Sequence, residues 1–227
     1  MPDYNHFKFE NAGGIARITL SRPKHNVLNI DMMEELNNIL AIVQADADVK
    51  CVVFYGEGKS WCAGVEVGDH KPELVDKMIS VFDSLLQNIT NLDVPTIAAV
   101  HGSCLGGGME VAIACDIVIA AESAKFGQPE IKLGFFPPYA VVRLPALVGP
   151  GKTIEICTSG KIYSARESFE MGFVGHVVED DVFSDAVDRL VEEIRYCSPL
   201  IIRLNKQAVK MTQNLAFKDA MKTSNNY

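Results

Sequence analysis

The run Leu105-Gly106-Gly107-Gly108-Met109-Glu110 sets three contiguous glycines one helical turn ahead of a carboxylate, and the residues that follow, "VAIAC", are apolar. Glycine is costly inside a regular element, and a buried unpaired carboxylate is costlier still. Bare backbone N–H groups at a helix start can point at a developing negative charge, which gives the glycines a chemical use. A tight turn feeding a closely packed helix is the simpler alternative. Glu130, in "GQPEIKLGFFPP", is a second carboxylate in an apolar, glycine-punctuated segment, twenty residues further on. Alone it reads as a solvated loop charge. Two such carboxyls brought together form the pair that general acid–base chemistry requires, one holding a proton near neutrality while the other stays charged.

Other chemistries fit less well. "LGGGME" is not G-x-G-x-x-G, and no ribose-reading acid follows it at the right distance. "VGPGKT" ends like a phosphate-binding loop, but Ala146 stands where that loop needs its first glycine, so Gly149-Pro150-Gly151 reads as a helix start. Cys62 has no histidine or cation arranged to lower its pKa, which argues against a thiolate nucleophile. The histidines at 6, 25, 70, 101 and 176 are scattered, without metal-ligand spacing, so no metal site is expected.

The elements that must position these groups follow from periodicity. "HFKFENAGGIARITLSRP" reads as a hairpin turning at "NAGG" and stopped by Pro23. Apolar positions 32, 33, 36, 39, 40 and 43 make a helical stripe with Asp31 as its N-cap, and 74, 75, 78, 81, 82, 85 and 86 make a second. "CVVFYG" and "PTIAAV" read as short buried strands. Helices are expected around 150–157, 164–171, 182–196 and 199–213, with one strand in "FVGHVVE". Strand–helix alternation followed by helices implies an α/β fold with a helical C-terminal portion. No internal repeat or low-complexity linker is apparent.

The bulk properties narrow the class further. A chain of 227 residues, 48% hydrophobic and 22% charged, can bury a sizeable core. Its formal net charge of −8 argues against a nucleic-acid or anionic-membrane partner. The apolar runs are too short for a membrane span, and the polar N-terminus does not read as a secretory signal. Six cysteines without a C-x-x-C pair, most in apolar surroundings, read as free thiols and point to a reducing cytoplasm.

Taken in order, "RPKHNVLN", "SWCAGVEV", "PTIAAVHGSCLGGGMEVAIACD" and "AKFGQPEIKLG" resemble the crotonase (enoyl-CoA hydratase/isomerase) superfamily, from about residue 7 to about residue 211. The resemblance implies a spiral of ββα turns over residues 1–195 and a helical C-terminal extension over 196–227. That extension reads as cut short, because the chain stops at "SNNY". It implies trimers or hexamers, no prosthetic group, and coenzyme A as part of a thioester substrate. By motif position, the backbone N–H groups of Val65 and Gly107 would clamp the thioester carbonyl. Contacts to coenzyme A would fall at Lys24, Val27 and Leu28 and along Ala63, Val65, Glu66 and Val67. Glu110 and Glu130 match the two glutamates of the hydratases, Glu110 activating water for attack at Cβ and Glu130 protonating Cα.

The sequence departs from the family where straight-chain hydratases carry a loop of the kind P-G-A-G-G-T. Here "FFPPYAVVRLP" offers Phe135, Phe136 and Tyr139 as walls of the acyl pocket, and aromatic walls suit a flat ring. The segment resembles cyclohexadiene-carbonyl-CoA hydratases of anaerobic aromatic degradation, which implies an alicyclic dienoyl-CoA substrate. A C=C isomerase or ring-cleaving hydrolase on the same fold, or a non-catalytic acyl-CoA- or RNA-binding relative, are the alternatives.

Overall fold

The computed structural model describes residues 4–225; residues 1–3 and the last two of the C-terminal extension, Asn226 and Tyr227, lie outside the described residues. The strands are β1 (Phe7–Ala12), β2 (Ile15–Leu20), β3 (Cys51–Gly56), β4 (Ser60–Cys62), β5 (Thr96–Val100), β6 (Ser103–Leu105), β7 (Ile117–Ala121), β8 (Lys125–Gly127), β9 (Ile162–Ser164) and β10 (His176–Val178). The helices are α1 (Ile30–Ala45), α2 (Val75–Asn91), α3 (Gly107–Ala114), α4 (Ala140–Ser159), α5 (Ala165–Met171), α6 (Phe183–Arg195), α7 (Pro199–Thr212) and α8 (Phe217–Ser224).

Among the described residues a six-stranded sheet runs β1-β2-β3-β5-β7-β10, and a four-stranded one runs β4-β6-β8-β9. The β1–β2 hairpin is antiparallel, and β2, β3, β5, β7 and β10 are mutually parallel. Each parallel step needs a crossover. Here the chain lays one strand in the large sheet, one in the small sheet, and then a helix. It does so as β3-β4-α2, as β5-β6-α3, and again from β7-β8 through a 3-10 turn at Pro129–Leu133 into α4. This is the ββα spiral of the crotonase fold. The structure thus contains a repeat where the residues show none, because each turn asks only for two buried strands and a helix.

The central strands β3, β5 and β7 of the large sheet are buried on both faces, which is why they read as continuous apolar runs. Alternation still assigns each side chain a side. Val52, Phe54, Ala98 and Val100 face the main core with α1, α2 and α3, whereas Cys51, Val53, Ile97 and Ala99 meet Ala186, Val187 and Val191 of α6.

One sequence expectation needs correction, and one helix proves longer than expected. Asn29, not Asp31, caps α1: its side chain accepts from Met32 N–H at 3.1 Å, and Asp31 lies inside the first turn. The helix begins two residues earlier than the polar-to-apolar switch implies, because Ile30 is itself buried at the start of the stripe. The helix expected around 150–157 is the second half of α4, which begins at Ala140 and breaks at Gly149 (φ 79°, ψ 161°) before Pro150 restarts it.

The helical C-terminal portion folds back on the spiral through one face of α7. Arg203 donates to the Asp46 and Val49 carbonyls at 2.8 and 3.2 Å, and Lys206 to the Val94 carbonyl at 2.7 Å and Asp116 Oδ2 at 2.6 Å. Lys210 reaches the Thr90 and Leu92 carbonyls. Three cations thus meet carbonyls at or just beyond the C-terminal ends of α1 and α2, where unpaired C=O groups favour positive charge. None of the helices among the described residues is long and apolar enough to cross a membrane.

Candidate active site

Two pieces of backbone come together between the sheets. After β4 the chain runs through Ala63 and Gly64 to Val65, which bridges to Leu28: Leu28 N–H donates to the Gly64 carbonyl and Glu66 N–H to the Leu28 carbonyl, each at 2.8 Å. Bonds at Gly64 and Glu66 on one side turn Val65 N–H to the other side. There it faces the start of α3. Gly106 takes φ +52° to turn from β6 into that helix, so its glycine identity is conformational. At Gly107 the constraint is steric. A Cβ there would lie 2.5 Å from Val65 Cγ2, 3.1 Å from Phe82 Cζ and 3.6 Å from Val65 N. Gly108 is likewise forced, because a Cβ would run into the Cys62 carbonyl. The glycines therefore let α3 press against β4 and its following turn until the N–H groups of Val65 and Gly107 neighbour one another. Neither N–H is engaged in a hydrogen bond among the described residues.

Glu110 sits in the first turn of α3, only 3% exposed. Its Oε1 accepts from Tyr139 N–H at 2.8 Å and Ala140 N–H at 2.9 Å, the two residues that open α4. Burial pushes its pKa up to about 7, against the opposing pull of those two donors. Glu130, half-buried in the 3-10 turn, approaches α3 from the other side, with its Oε2 3.1 Å from where a Cβ on Gly106 would stand. The Gln128 amide is fully buried against Glu130, and turned with its nitrogen toward that carboxyl it would donate to both oxygens. Burial raises Glu130 to about 7 as well, and the Glu110 charge pushes the same way. Two carboxyls poised near neutrality and sharing one site let one stay ionised while the other keeps its proton. Cys62, beneath the clamp, is fully buried and its thiol is pushed up to about 12, so it offers no thiolate.

Both carboxyls and both N–H groups open on a single chamber of about 900 Å³. Its floor is the apolar stripe of α2, with Met78, Phe82 and Leu86. The opposite wall is the segment that precedes and opens α4. Phe135 is half-buried and packs on His70, ring centroids 4.1 Å apart; Phe136 stands at the rim, 67% exposed; Tyr139 reaches across to Thr90 through its hydroxyl at 2.8 Å. Ala63, Val65, Val67 and Gly107 border the same space.

Lys24, Val27, Leu28 and Glu66 do not border it. Lys24 is exposed, the Val27 carbonyl accepts from Arg22 at 2.6 Å, and Glu66 pairs with Arg22 at 3.2 Å. Leu28 has a fully buried side chain, and its N–H and C=O are both spent on the bridge, so it holds the Val65 strand in place. Sequence reasoning missed Gln128, Thr90 and His70. Only the helical stripe of α2 pointed toward the floor.

A chamber with two converging N–H donors can hold a carbonyl whose oxygen gains negative charge, and the paired carboxyls can move protons on the atoms beside it. The comparisons agree with this chemistry. The chain is 32% identical over 213 residues to a short-chain-enoyl-CoA hydratase of Clostridium acetobutylicum, covering 91% of this chain and 82% of that protein. To a crotonyl-CoA hydratase of Syntrophomonas wolfei it is 35% identical over 212 residues, covering 90% and 81%. The crystal structure of an enoyl-CoA hydratase from Bacillus anthracis superposes with a TM-score of 0.93 at 30% identity, covering 98% of this chain and 89% of the other. Residues 10–226 match the family described as Enoyl-CoA hydratase/isomerase, and the chain belongs to that family.

Proposed function

We propose that the protein is a hydro-lyase that adds water across the conjugated C=C of an enoyl-CoA thioester, and runs the same step in reverse. The observation that carries this reading is the meeting of Glu110, Glu130 and two free backbone N–H groups in one chamber.

The thioester oxygen accepts from Val65 N–H and Gly107 N–H, which draws electron density away from Cβ. Ionised Glu110 takes a proton from water as the water oxygen bonds to Cβ. The C=C electron pair moves onto Cα and the thioester carbonyl, giving an enolate whose oxygen the two N–H groups stabilise. Protonated Glu130 then delivers its proton to Cα. The product has gained one water, Glu110 ends protonated and Glu130 ionised, and proton exchange with solvent restores the pair. No prosthetic group takes part; coenzyme A enters and leaves as part of the substrate. We assign its contacts to Lys24, Val27, Leu28, Ala63, Val65, Glu66 and Val67, on and around the strand that carries Val65.

The substrate we favour within this class is an alicyclic dienoyl-CoA. What supports it is that Phe135, Phe136 and Tyr139 all line the chamber, and aromatic walls suit a flat acyl group. Self-association to a trimer or hexamer is supported by the apolar side chains that α7 and α8 leave exposed, Leu200, Val209 and Phe217 among them. The buried free thiols support a cytoplasmic setting.

The test is loss of enoyl-thioester absorbance with crotonyl-CoA and with a cyclic dienoyl-CoA, followed by product mass. Glu110→Gln and Glu130→Gln are each expected to lower kcat at least a hundredfold, within the range of about 10²–10⁴ that positioned acid–base groups contribute. Full activity in both variants overturns the mechanism, and a product without added water points to isomerisation.

A further inference from the structure

The Tyr139 side chain makes a hydrogen bond that the proposed chemistry does not use. Its hydroxyl lies 2.8 Å from Thr90 Oγ1, near the C-terminal end of α2. Thr90 has one hydroxyl proton and donates it to the Leu86 carbonyl at 2.8 Å, so Tyr139 is the donor in the pair. The backbone of the same tyrosine donates to Glu110 Oε1, and so does the next residue. Thr90 is itself fixed, because its carbonyl accepts from Lys210 of α7. An unbroken path thus runs from the end of α2, through the tyrosine ring, to the two N–H groups that grip the carboxylate.

That path matters because α4 has no side-chain cap of its own. Tyr139 occupies the N-cap position and makes no capping bond, immediately after the Pro137-Pro138 pair. Unpinned, the first turn of α4 can fray, as helix starts without a cap do. We propose that Tyr139 is a positioning residue for Glu110: its hydroxyl, anchored on Thr90, holds the first turn of α4 where Tyr139 N–H and Ala140 N–H both reach Glu110 Oε1. This rests on the reading of Glu110 as the base. The two donors favour the ionised carboxylate, so an anchored Tyr139 keeps Glu110 charged to lower pH than burial alone permits. Other titratable groups around the site are Glu130 on the 3-10 turn, Cys157 on α4, Asp83 on α2, and His70 and Lys132 on the chamber wall. Arg143, Cys115 and Asp116 act on the tyrosine itself. Removing one hydroxyl alters none of them.

The test compares Tyr139→Phe, Thr90→Val and Thr90→Ser with the parent protein by the pH profile of kcat/KM on crotonyl-CoA. Activity needs Glu110 ionised, so weaker donation moves the acid limb upward. Tyr139→Phe and Thr90→Val are expected to shift that limb up by about half a unit to one unit, leaving the basic limb near its parent position. Below the limb this is a loss of about three- to tenfold in kcat/KM, since one unit is tenfold. Thr90→Ser keeps an acceptor hydroxyl and is expected to keep the parent profile. A uniform loss of activity with an unmoved acid limb in both variants overturns the inference. Should Tyr139→Phe fail to fold, Thr90→Val read against Thr90→Ser decides the question in the same way. Undiminished activity in Glu110→Gln refutes the base assignment instead, so the two failures are distinguishable.

Discussion

Replacing Gly107 by alanine tests the backbone clamp most directly. The new methyl would stand 2.5 Å from Val65 Cγ2 and 3.1 Å from Phe82 Cζ. Carbon atoms rest at about 3.5–4.0 Å, so the Val65 contact alone demands a shift of roughly 1 Å. Phe82 sits in the core of the α2 stripe and blocks retreat on one side, while the branched Val65 side chain has few rotamers to escape into. The movement therefore falls on the Val65 and Gly107 backbones, which must separate. An oxyanion donor works at about 2.7–3.1 Å, and losing one costs about 10²–10³ in kcat, or roughly 3–4 kcal/mol of transition-state stabilisation. Overpacking adds about 1–3 kcal/mol of lost fold stability. Steady-state kinetics on crotonyl-CoA alongside thermal unfolding separates the two effects. The expected result is a folded protein with kcat down at least a hundredfold. A folded Gly107→Ala protein with kcat within twofold of the parent refutes the clamp.

Other perturbations reach different parts of the structure. Glu110 has a folded pKa of about 7, above its ordinary value of 4.5, so its stabilising contribution is complete below pH 4.5 and is lost as pH rises through 7. Glu110→Gln is therefore expected to raise Tm relative to the parent at pH 8, by the equivalent of about 3 kcal/mol, with no gain at pH 4; an equal or lower Tm at pH 8 contradicts the burial argument. Lys206→Met removes the cation that bonds Asp116 and the Val94 carbonyl, and should cost about 1–3 kcal/mol by chemical denaturation, with faster amide exchange in α7. Phe135→Ala strips a ring from the chamber wall and should lower kcat/KM for a cyclic dienoyl-CoA about tenfold more than for crotonyl-CoA, as measured on both substrates.

The long elements were legible because burial imposes a period on them. The hairpin through Gly13-Gly14, the stripes of α1 and α2 and the amphipathic α6 all follow from apolar spacing. The three-residue strands β4, β6, β8 and β9 are too short to show any period, and they form the second sheet. The helix start at Pro150 was legible, whereas the half of α4 before Gly149, which carries Pro145, was not. Within the site, Glu110 stood out as a carboxylate in an apolar run, and the glycines as an expensive choice inside an element. The grip on Glu110 by Tyr139 and Ala140 spans some thirty residues of chain and runs through backbone N–H groups, which every residue but proline carries. Gln128 was hidden for a related reason: a buried amide is recognisable only once its partner carboxyl is known to be buried too.

The clamp of Val65 and Gly107 has no side chain that can be lost. A scan that truncates residues to alanine passes over Val65 without removing its donor, and it touches Gly107 only by adding bulk. Short of proline, which has no N–H, point mutation can crowd this part of the site but cannot delete it. The glutamates are the reverse, since a single base change can abolish either. Under drift, then, the pair of N–H donors outlasts the carboxyls beside it. A gene that loses or moves a carboxylate still encodes a protein with both N–H donors in place, ready for a different reaction.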